Sequence, residues 1–429
     1  MIMNSQQSTE RALVVGVGLK KDPVGEIKES LAELEELVYA AGAEIIAVAT
    51  QLVTQWNPST LIGRGKVSEI KKMIDDCEPN LVVVDHQLSG VQIRNLEDQW
   101  KLRVIDRNQL ILDIFAKRAQ SYEGKLQVEL AQLMDQMPRM VGAWLSSLSR
   151  QGGGIGTKGP GEKALEIDRR RMQERIIQIK SQLETVKKQR KEHRRSRERK
   201  HVPSLALIGY TNSGKSTLLN KLTNSKVMTK DMVFATLDPV TRKVYLTDSQ
   251  QAVITDTVGF IRRLPKELIE AFQATLEESA SADILLHVID FSSEQWDQQI
   301  QTIDELIVKF NWQEKPRIYI FNKSDLISKE KQFQVDRHPR VFVSGTQGTG
   351  IDNLKNLMVK TLKDLRTEYQ FFFPKSDEYL IYDLARVAEI TKKESASKGT
   401  LCYASLASQN LGPWKSFIVE SEKKTKSLI

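Results

Sequence analysis

Leu205–Thr217, LALIGYTNSGKST, is the stretch whose reading decides the fold. Leu205–Ile208 is a short apolar run that reads as a buried strand. It leads into Gly209, Tyr210, Thr211, Asn212, Ser213, Gly214, Lys215, Ser216 and Thr217, which fit G-x-x-x-x-G-K-[ST] at every fixed position. The glycines let backbone N–H groups turn inward around phosphate oxygens, and the helix that follows adds positive potential. Lys215 is placed to reach β- and γ-phosphates and Ser216 to ligate Mg²⁺. A strand, phosphate loop and helix imply an α/β domain with a mostly parallel sheet flanked by helices. The loop specifies a nucleoside triphosphate but not which one.

Three later segments narrow the base. Val253–Gly259 ends an apolar strand in Asp256, Thr257, Val258 and Gly259. Asp256 is placed for the metal shell, through a water, and the Gly259 N–H for the γ-phosphate. Ile318–Asp325 ends another strand in Asn322, Lys323, Ser324 and Asp325, an NKxD pattern. A carboxylate there accepts from guanine N1 and N2, a donor pair adenine lacks. Ser344, Gly345 and Thr346 follow the strand Arg340–Val343 and are positioned to close over the base. Together, and in this order, the segments describe a guanine nucleotide site. Between the phosphate loop and Asp256 lie Phe234, Ala235, Thr236, Leu237 and Asp238. Thr236 is the candidate switch threonine that completes the Mg²⁺ shell beside Ser216 and Asp256, with Thr241 as an alternative. Lys215, Thr236 and Gly259 form the candidate catalytic set. Phe260 stands where Ras-like enzymes carry the glutamine that orients water, so hydrolysis by the free protein is expected to be slow. Either another group replaces that glutamine, or Phe260 packs inward and nothing does. Asn212 is a candidate contact for a potassium ion beside the phosphates.

At 429 residues the chain is long enough for several domains. Composition, with 40% hydrophobic and 28% charged residues, excludes a disordered chain. No apolar run is long enough to span a bilayer, no signal peptide is evident, and two distant cysteines exclude a disulfide framework. A cytoplasmic, monomeric protein is expected, with peripheral membrane contact left open. The net charge of +8 is concentrated: Lys163–His201 alone carries fifteen Lys/Arg against six Asp/Glu. Such a segment suits a polyanionic partner, and a solvated helix is the plainer reading. Arg169, Arg170, Arg171, Lys187, Lys188, Arg190, Lys191, Arg194 and Arg195 are the candidate RNA contacts.

The predicted organisation has four parts. Residues 1–120 alternate strand and helix as a small βα domain. In residues 121–201, two apolar stripes of near-heptad spacing, Leu126–Leu148 and Leu165–Val186, flank a glycine-rich turn and predict an antiparallel helical hairpin. Residues 202–368 form the P-loop domain. Residues 369–429 form a small α+β appendage, with a helix around Tyr379–Ile390 and strands near Leu401–Ser405 and Ser416–Val419.

Outside the nucleotide motifs, four further segments carry a resemblance: Leu61–Lys66 (LIGRGK), Asp106–Phe115 (DRNQLILDIF), Glu123–Gln132 (EGKLQVELAQ) and Gly152–Glu162 (GGGIGTKGPGE). With Phe234–Asp238 (FATLD), they make the chain resemble the HflX family of ribosome-associated GTPases, within the Obg-HflX-like superfamily, from about Ala12 to Glu368. The chain departs from the family pattern at Lys163–Asp168 and in having Ser-Gly rather than Ser-Ala in the late loop. The resemblance implies GTP hydrolysis with Mg²⁺, binding to the large ribosomal subunit, and splitting or rescue of ribosomes under stress, with hydrolysis controlled by the ribosome. Two other readings stand beside it. One is an RNA-remodelling NTPase with a second nucleotide site in the N-terminal domain. The other is a GTP-dependent regulatory binding protein. The Leu61–Lys66 loop reads as a structural turn or RNA contact ahead of a second pocket, and His86, His287 and both cysteines read as packing residues.

Overall fold

A computed structural model describes residues 9–23, 25–148, 160–199, 202–223, 234, 240–248, 250–272, 279–407 and 411–421. The N-terminal part is a parallel sheet of β1 (Glu10–Leu19), β2 (Ala43–Val53), β3 (Leu81–Val84) and β4 (Arg103–Asp106), in the order β2-β1-β3-β4. Helices α1 (Glu26–Ala41), α2 (Arg64–Cys77), α3 (Gly90–Trp100) and α4 (Arg107–Arg118) connect and follow the strands. Ala12–Val15 are wholly buried because helices cover both faces, which explains the unbroken apolar run. The Ser89 side chain and Gln92 form a capping box that starts α3. Asp106 caps α4 by accepting from the Gln109 N–H at 2.9 Å. Of the Leu61–Lys66 segment, Leu61–Gly63 form a turn and Arg64–Lys66 already begin α2: Thr60 donates to the Ile62 carbonyl at 2.8 Å, and Gln51 accepts from the Gly63 N–H at 3.1 Å.

The hairpin pairs α5 (Tyr122–Leu148) with α6 (Pro160–Arg199), and Pro138 lies inside α5. Leu126, Leu130 and Ala131 of α5 and Ile179 of α6 are buried, with Ile176 and Leu183 packed against them. Arg175 spans the two helices to both carboxylate oxygens of Glu129, at 2.6 and 2.9 Å. The glycine-rich turn at 152–159 lies outside the described residues.

The central sheet comprises β5 (Ser204–Gly209), β6 (Val240–Tyr245), β7 (Gln251–Asp256), β8 (Ile284–Asp290), β9 (Arg317–Asn322) and β10 (Arg340–Phe342). Its order is β10-β9-β8-β5-β7-β6, parallel except where β6 runs against β7. Around it lie α7 (Lys215–Thr223), α8 (Lys266–Ala271) and helices Trp296–Lys309 and Ile351–Asp364. The phosphate loop, Asp256 and Asn322 all sit at carboxyl ends of parallel strands, where open α/β sheets bind ligands.

The C-terminal sheet is antiparallel, in the order β12-β13-β11-β14, from β11 (Arg366–Pro374), β12 (Glu389–Ala396), β13 (Gly399–Ala407) and β14 (Ile418–Ser421). Here the sequence reading needs correction. The expected helix Tyr379–Ile390 is only Leu380–Ala385, and Ile390 belongs to β12. Strands β11 and β12 were not anticipated. β12, EITKKESA, is a charged edge strand without apolar alternation, a pattern that protects a sheet edge and hides it from periodicity. Phe371 and Phe373 of β11 are fully buried with Cys402 and Leu406 of β13.

The N-terminal and P-loop parts share one apolar cluster. Tyr210, Phe234, Val258, Ile261, Leu268, Ala271 and Phe272 pack with residues of α1, α4 and the hairpin. Phe115 of α4 is its hub, with ring centroids 4.4 Å from Phe234 and 5.3 Å from Phe272. Among the described residues no helix is long and apolar enough to cross a membrane.

Candidate functional site

The loop after β5 is shaped by two glycines. Gly209 has φ +153°, and a Cβ there would collide with the Val288 carbonyl; Gly214 has φ +86°, and its Cβ would strike the Asn322 amide. Asn212 sits between them with φ +60°, a left-handed conformation asparagine tolerates. Lys215, the first residue of α7, is buried and folds beneath the loop. Its Nζ donates to the carbonyls of Gly209 at 3.1 Å and Tyr210 at 2.8 Å. Burial pushes the ammonium down to about 8, against the opposing pull of Asp256. A bound polyphosphate restores the charged form, so nucleotide binding above about pH 8 is expected to take up a proton at Lys215. Calorimetry of GDP binding at pH 9 in buffers of different ionisation enthalpy would read that uptake. A heat independent of buffer would contradict it.

Ser216 Oγ donates to Asp256 Oδ2 at 2.7 Å, and Asp256 is almost fully buried at the end of β7. A hydroxyl and a carboxylate oxygen side by side fit Mg²⁺, which takes few protein ligands and completes its shell with waters and phosphates. No cluster of three or more His, Cys, Asp or Glu able to cage a metal occurs among the described residues. Thr236, with Ala235, Leu237 and Asp238, lies outside the described residues. Phe234 is described: it has φ +56° and is buried against Phe115.

The Asp256–Gly259 segment crosses the phosphate loop. Thr257 Oγ1 donates to the Leu207 carbonyl at 2.7 Å, tying β7 to β5, and Val258 packs into the interdomain cluster. Gly259 stands so close that a Cβ would lie 3.0 Å from Thr211 Cα and 3.1 Å from Lys215 Nζ. Phe260 is only 3% exposed, in a cluster with Ala206, Ile208, Leu285, Ile303 and Trp312. Its N–H donates to the Gly209 carbonyl at 3.1 Å, and its carbonyl accepts from the Thr211 N–H at 2.7 Å. Phe260 packs inward and anchors the segment; it points no polar group at water.

Asn322 organises the base end. Its amide donates to the Ser213 carbonyl at 2.9 Å, and its oxygen accepts from the Gly345 N–H at 2.9 Å, joining the phosphate loop to the late loop. Ser324 N–H donates to the Val343 carbonyl at 3.1 Å, and the Ser344 and Thr346 hydroxyls are 3.1 Å apart. Asp325 is exposed on the short turn Ser324–Leu326. Lys323 pairs with Asp290 at 2.7 Å, a partner the sequence reading missed although β8 visibly ends in that carboxylate. Also missed were Glu33, which accepts from the Tyr210 hydroxyl across the domain boundary, Arg107, which pairs with Glu33, and Arg262, whose N–H donates to the same hydroxyl.

The basic candidates divide. Arg169, Arg170 and Arg171 are exposed on α6, with Arg170 paired to Glu174 at 3.0 Å and Arg171 to Asp168 at 3.6 Å. Lys188 is exposed and Lys187 half-buried. Arg190 turns back to Glu123 of α5 at 2.6 Å, so part of its charge holds the hairpin. The side chains of Lys191, Arg194 and Arg195 lie outside the described residues.

A phosphate loop, a hydroxyl–carboxylate pair beneath it and an NKxD strand end on a mostly parallel sheet define the class: a P-loop GTPase. Comparison with known proteins narrows it. Residues 28–116 match the family description "GTP-binding GTPase N-terminal", 118–197 "GTP-binding GTPase Middle Region", and 204–323 "50S ribosome-binding GTPase". The GTPase HflX of Caldanaerobacter subterraneus is 44% identical over 86% of this chain and 85% of its own length. Those of Lacrimispora saccharolytica and Escherichia coli are 42% and 40% identical, covering 95% and 90% of this chain and 96% and 92% of their own. The chain belongs to the HflX family of GTPases, and it binds and hydrolyses GTP.

Proposed function

We propose that this GTPase acts in the cytoplasm, as a monomer, on the large ribosomal subunit, and that its GTP-bound form splits or rescues ribosomes under stress. The observation that carries the reading is the pairing of a nucleotide site with a long basic helix in one chain. The P-loop match to a family described as 50S ribosome-binding supports the same partner. Lys215 and the loop amides hold the phosphates, and Asp325, braced by the Asn322 contacts, selects guanine. Ser216, Thr236 and, through a water, Asp256 would hold Mg²⁺, which would supply neutralisation of charge on the phosphates. The Gly259 N–H meets the γ-phosphate. Since Phe260 is committed to the core, the free protein lacks a water-orienting group at that position, and the ribosome supplies what hydrolysis needs.

The test is GTP hydrolysis with and without purified large subunits, alongside sedimentation of whole ribosomes. Strong stimulation and GTP-dependent appearance of free subunits are expected. Unstimulated hydrolysis and intact ribosomes would sink the ribosome reading. Binding through α6 also predicts a steep salt dependence. If about six phosphates are neutralised, affinity falls ~10³-fold between 50 and 200 mM salt. A flat dependence would remove the basic helix from the interface.

A further inference from the structure

We propose that Glu33 of α1 is a positioning residue for GTP hydrolysis, restraining the segment after Gly259 through Tyr210 and Arg107. The contacts form a closed ring. The Arg262 N–H donates to the Tyr210 hydroxyl at 2.8 Å. That hydroxyl donates to one oxygen of Glu33. The other Glu33 oxygen accepts from Arg107 Nη2 at 2.5 Å, and the same nitrogen makes a longer contact of 3.4 Å to the Arg262 carbonyl. Arg107 Nη1 is held by Asp85 at 2.8 Å. Both backbone polar groups of Arg262 are therefore met by one assembly, whose anchors Glu33, Arg107 and Asp85 belong to the N-terminal sheet domain. Tyr210 is the second residue of the phosphate loop, and Arg262 lies three residues beyond Gly259.

The ring is buried at Arg107, 2% exposed, and Tyr210, 7%, and half-buried at Glu33 and Arg262. Glu33 and Asp85 keep the guanidinium firmly charged despite burial, and burial with the Glu33 charge holds the Tyr210 phenol in its protonated, donating form. Around it, Glu26 and Glu29 of α1 make more exposed pairs with the side chains of Arg262 and Arg263. Those pairs are screened and replaceable by water, whereas a buried backbone N–H that loses its acceptor is not.

This arrangement has a consequence for the switch. While the ring is closed, Gly259 is held against Thr211 and Lys215, and Lys215 is committed to loop carbonyls. Rearranging the segment around a γ-phosphate moves Arg262 and opens the ring, so α1 docks less firmly in the triphosphate state. Conversely, a partner that draws the N-terminal domain away releases the segment. The inference rests on the reading that Asp256–Gly259 answers to the γ-phosphate.

The test compares Glu33→Gln, Glu33→Asp and Glu26→Gln in the full chain. Glu33→Gln is expected to raise kcat of the free protein about tenfold, the ratio for one charge-assisted hydrogen bond, with KM for GTP little changed. Stimulation by large subunits falls correspondingly. Glu33→Asp, which keeps the charge, lies between, and Glu26→Gln behaves as the parent. A kcat and a stimulation in Glu33→Gln equal to those of the parent would overturn the proposal. A second measurement needs no change in the ring. Cysteines placed at exposed Tyr39 of α1 and exposed Val308, in a Cys77→Ser background, carry spin labels. Their distance is expected to lengthen when a non-hydrolysable GTP analogue replaces GDP, with fluorescent-nucleotide titration of the same samples checking that the analogue is bound. An unchanged distance beside a raised kcat in Glu33→Gln tells against the γ-phosphate reading and leaves the ring standing, whereas an unchanged distance beside a parental kcat overturns the proposal.

Discussion

Replacing Asp325 with asparagine is expected to weaken GDP and GTP binding by ~10³-fold or more and to create affinity for xanthine nucleotides. The size follows from what is left unpaired. Guanine N1–H and N2–H₂ donate to a carboxylate, and an amide that presents its own NH₂ leaves one donor facing another. Xanthine carries a carbonyl where guanine has its amino group, so the same amide becomes complementary. The supporting frame is rigid. Ser324 is tied to Val343, Lys323 to Asp290, and Asn322 to Ser213 and Gly345. Because Asp325 is itself exposed, the substitution is expected to leave the thermal stability of the free protein nearly unchanged. Titration with fluorescent guanine and xanthine nucleotides checks both arms, and retained guanine preference would remove Asp325 from the base site.

Lys215→Ala is the second large effect, and here binding and stability separate. An ammonium aimed at two phosphates makes charge-assisted bonds, and its loss is expected to lower nucleotide affinity by ~10²–10³-fold and to abolish measurable hydrolysis. The free protein behaves differently. Burial already disfavours the Lys215 charge, as its lowered pKa of about 8 records, so removing it relieves a desolvation cost. The Gly209 and Tyr210 carbonyls lose a donor in exchange. The two roughly offset, and the unfolding midpoint of the free variant is expected within a few degrees of the parent's. The midpoint rise caused by GDP disappears in the variant, since only ligand bound to the folded state stabilises it. Differential scanning measurements with and without GDP read both quantities. A preserved GDP-induced rise would show that the lysine does not carry the binding.

The parts of this site legible in the sequence are those in which local geometry dictates residue type. Gly209 and Gly214 occupy backbone positions where a Cβ collides, Lys215 must reach phosphate from the first turn of a helix, and Asn322 and Asp325 share one strand end. Each requirement lies within a few residues of chain. The hairpin was legible too, because Leu126, Leu130, Ile176 and Ile179 repeat at helical spacing. The C-terminal sheet was legible only in part: strands were read within β13 and near β14, but a charged edge strand such as β12 carries no periodic burial to read. Phe260 stood between two readings until its packing among Ala206, Ile208 and Trp312 decided for the core.

By itself the sequence determined a guanine-nucleotide P-loop, an adjoining βα domain and a basic helical hairpin, because short-range sterics and hydrophobic period constrain neighbours along the chain. Only the tertiary structure decided that the hydroxyl of Tyr210 meets Glu33, 177 residues away, that Arg107 reaches the Arg262 carbonyl, and that Phe234 seats against Phe115. Glutamate, arginine and tyrosine are ordinary surface residues in a sequence. They become a largely buried ring when helices of the N-terminal domain pack on the segments beside the phosphate loop, and polar groups caught between them must find partners away from water.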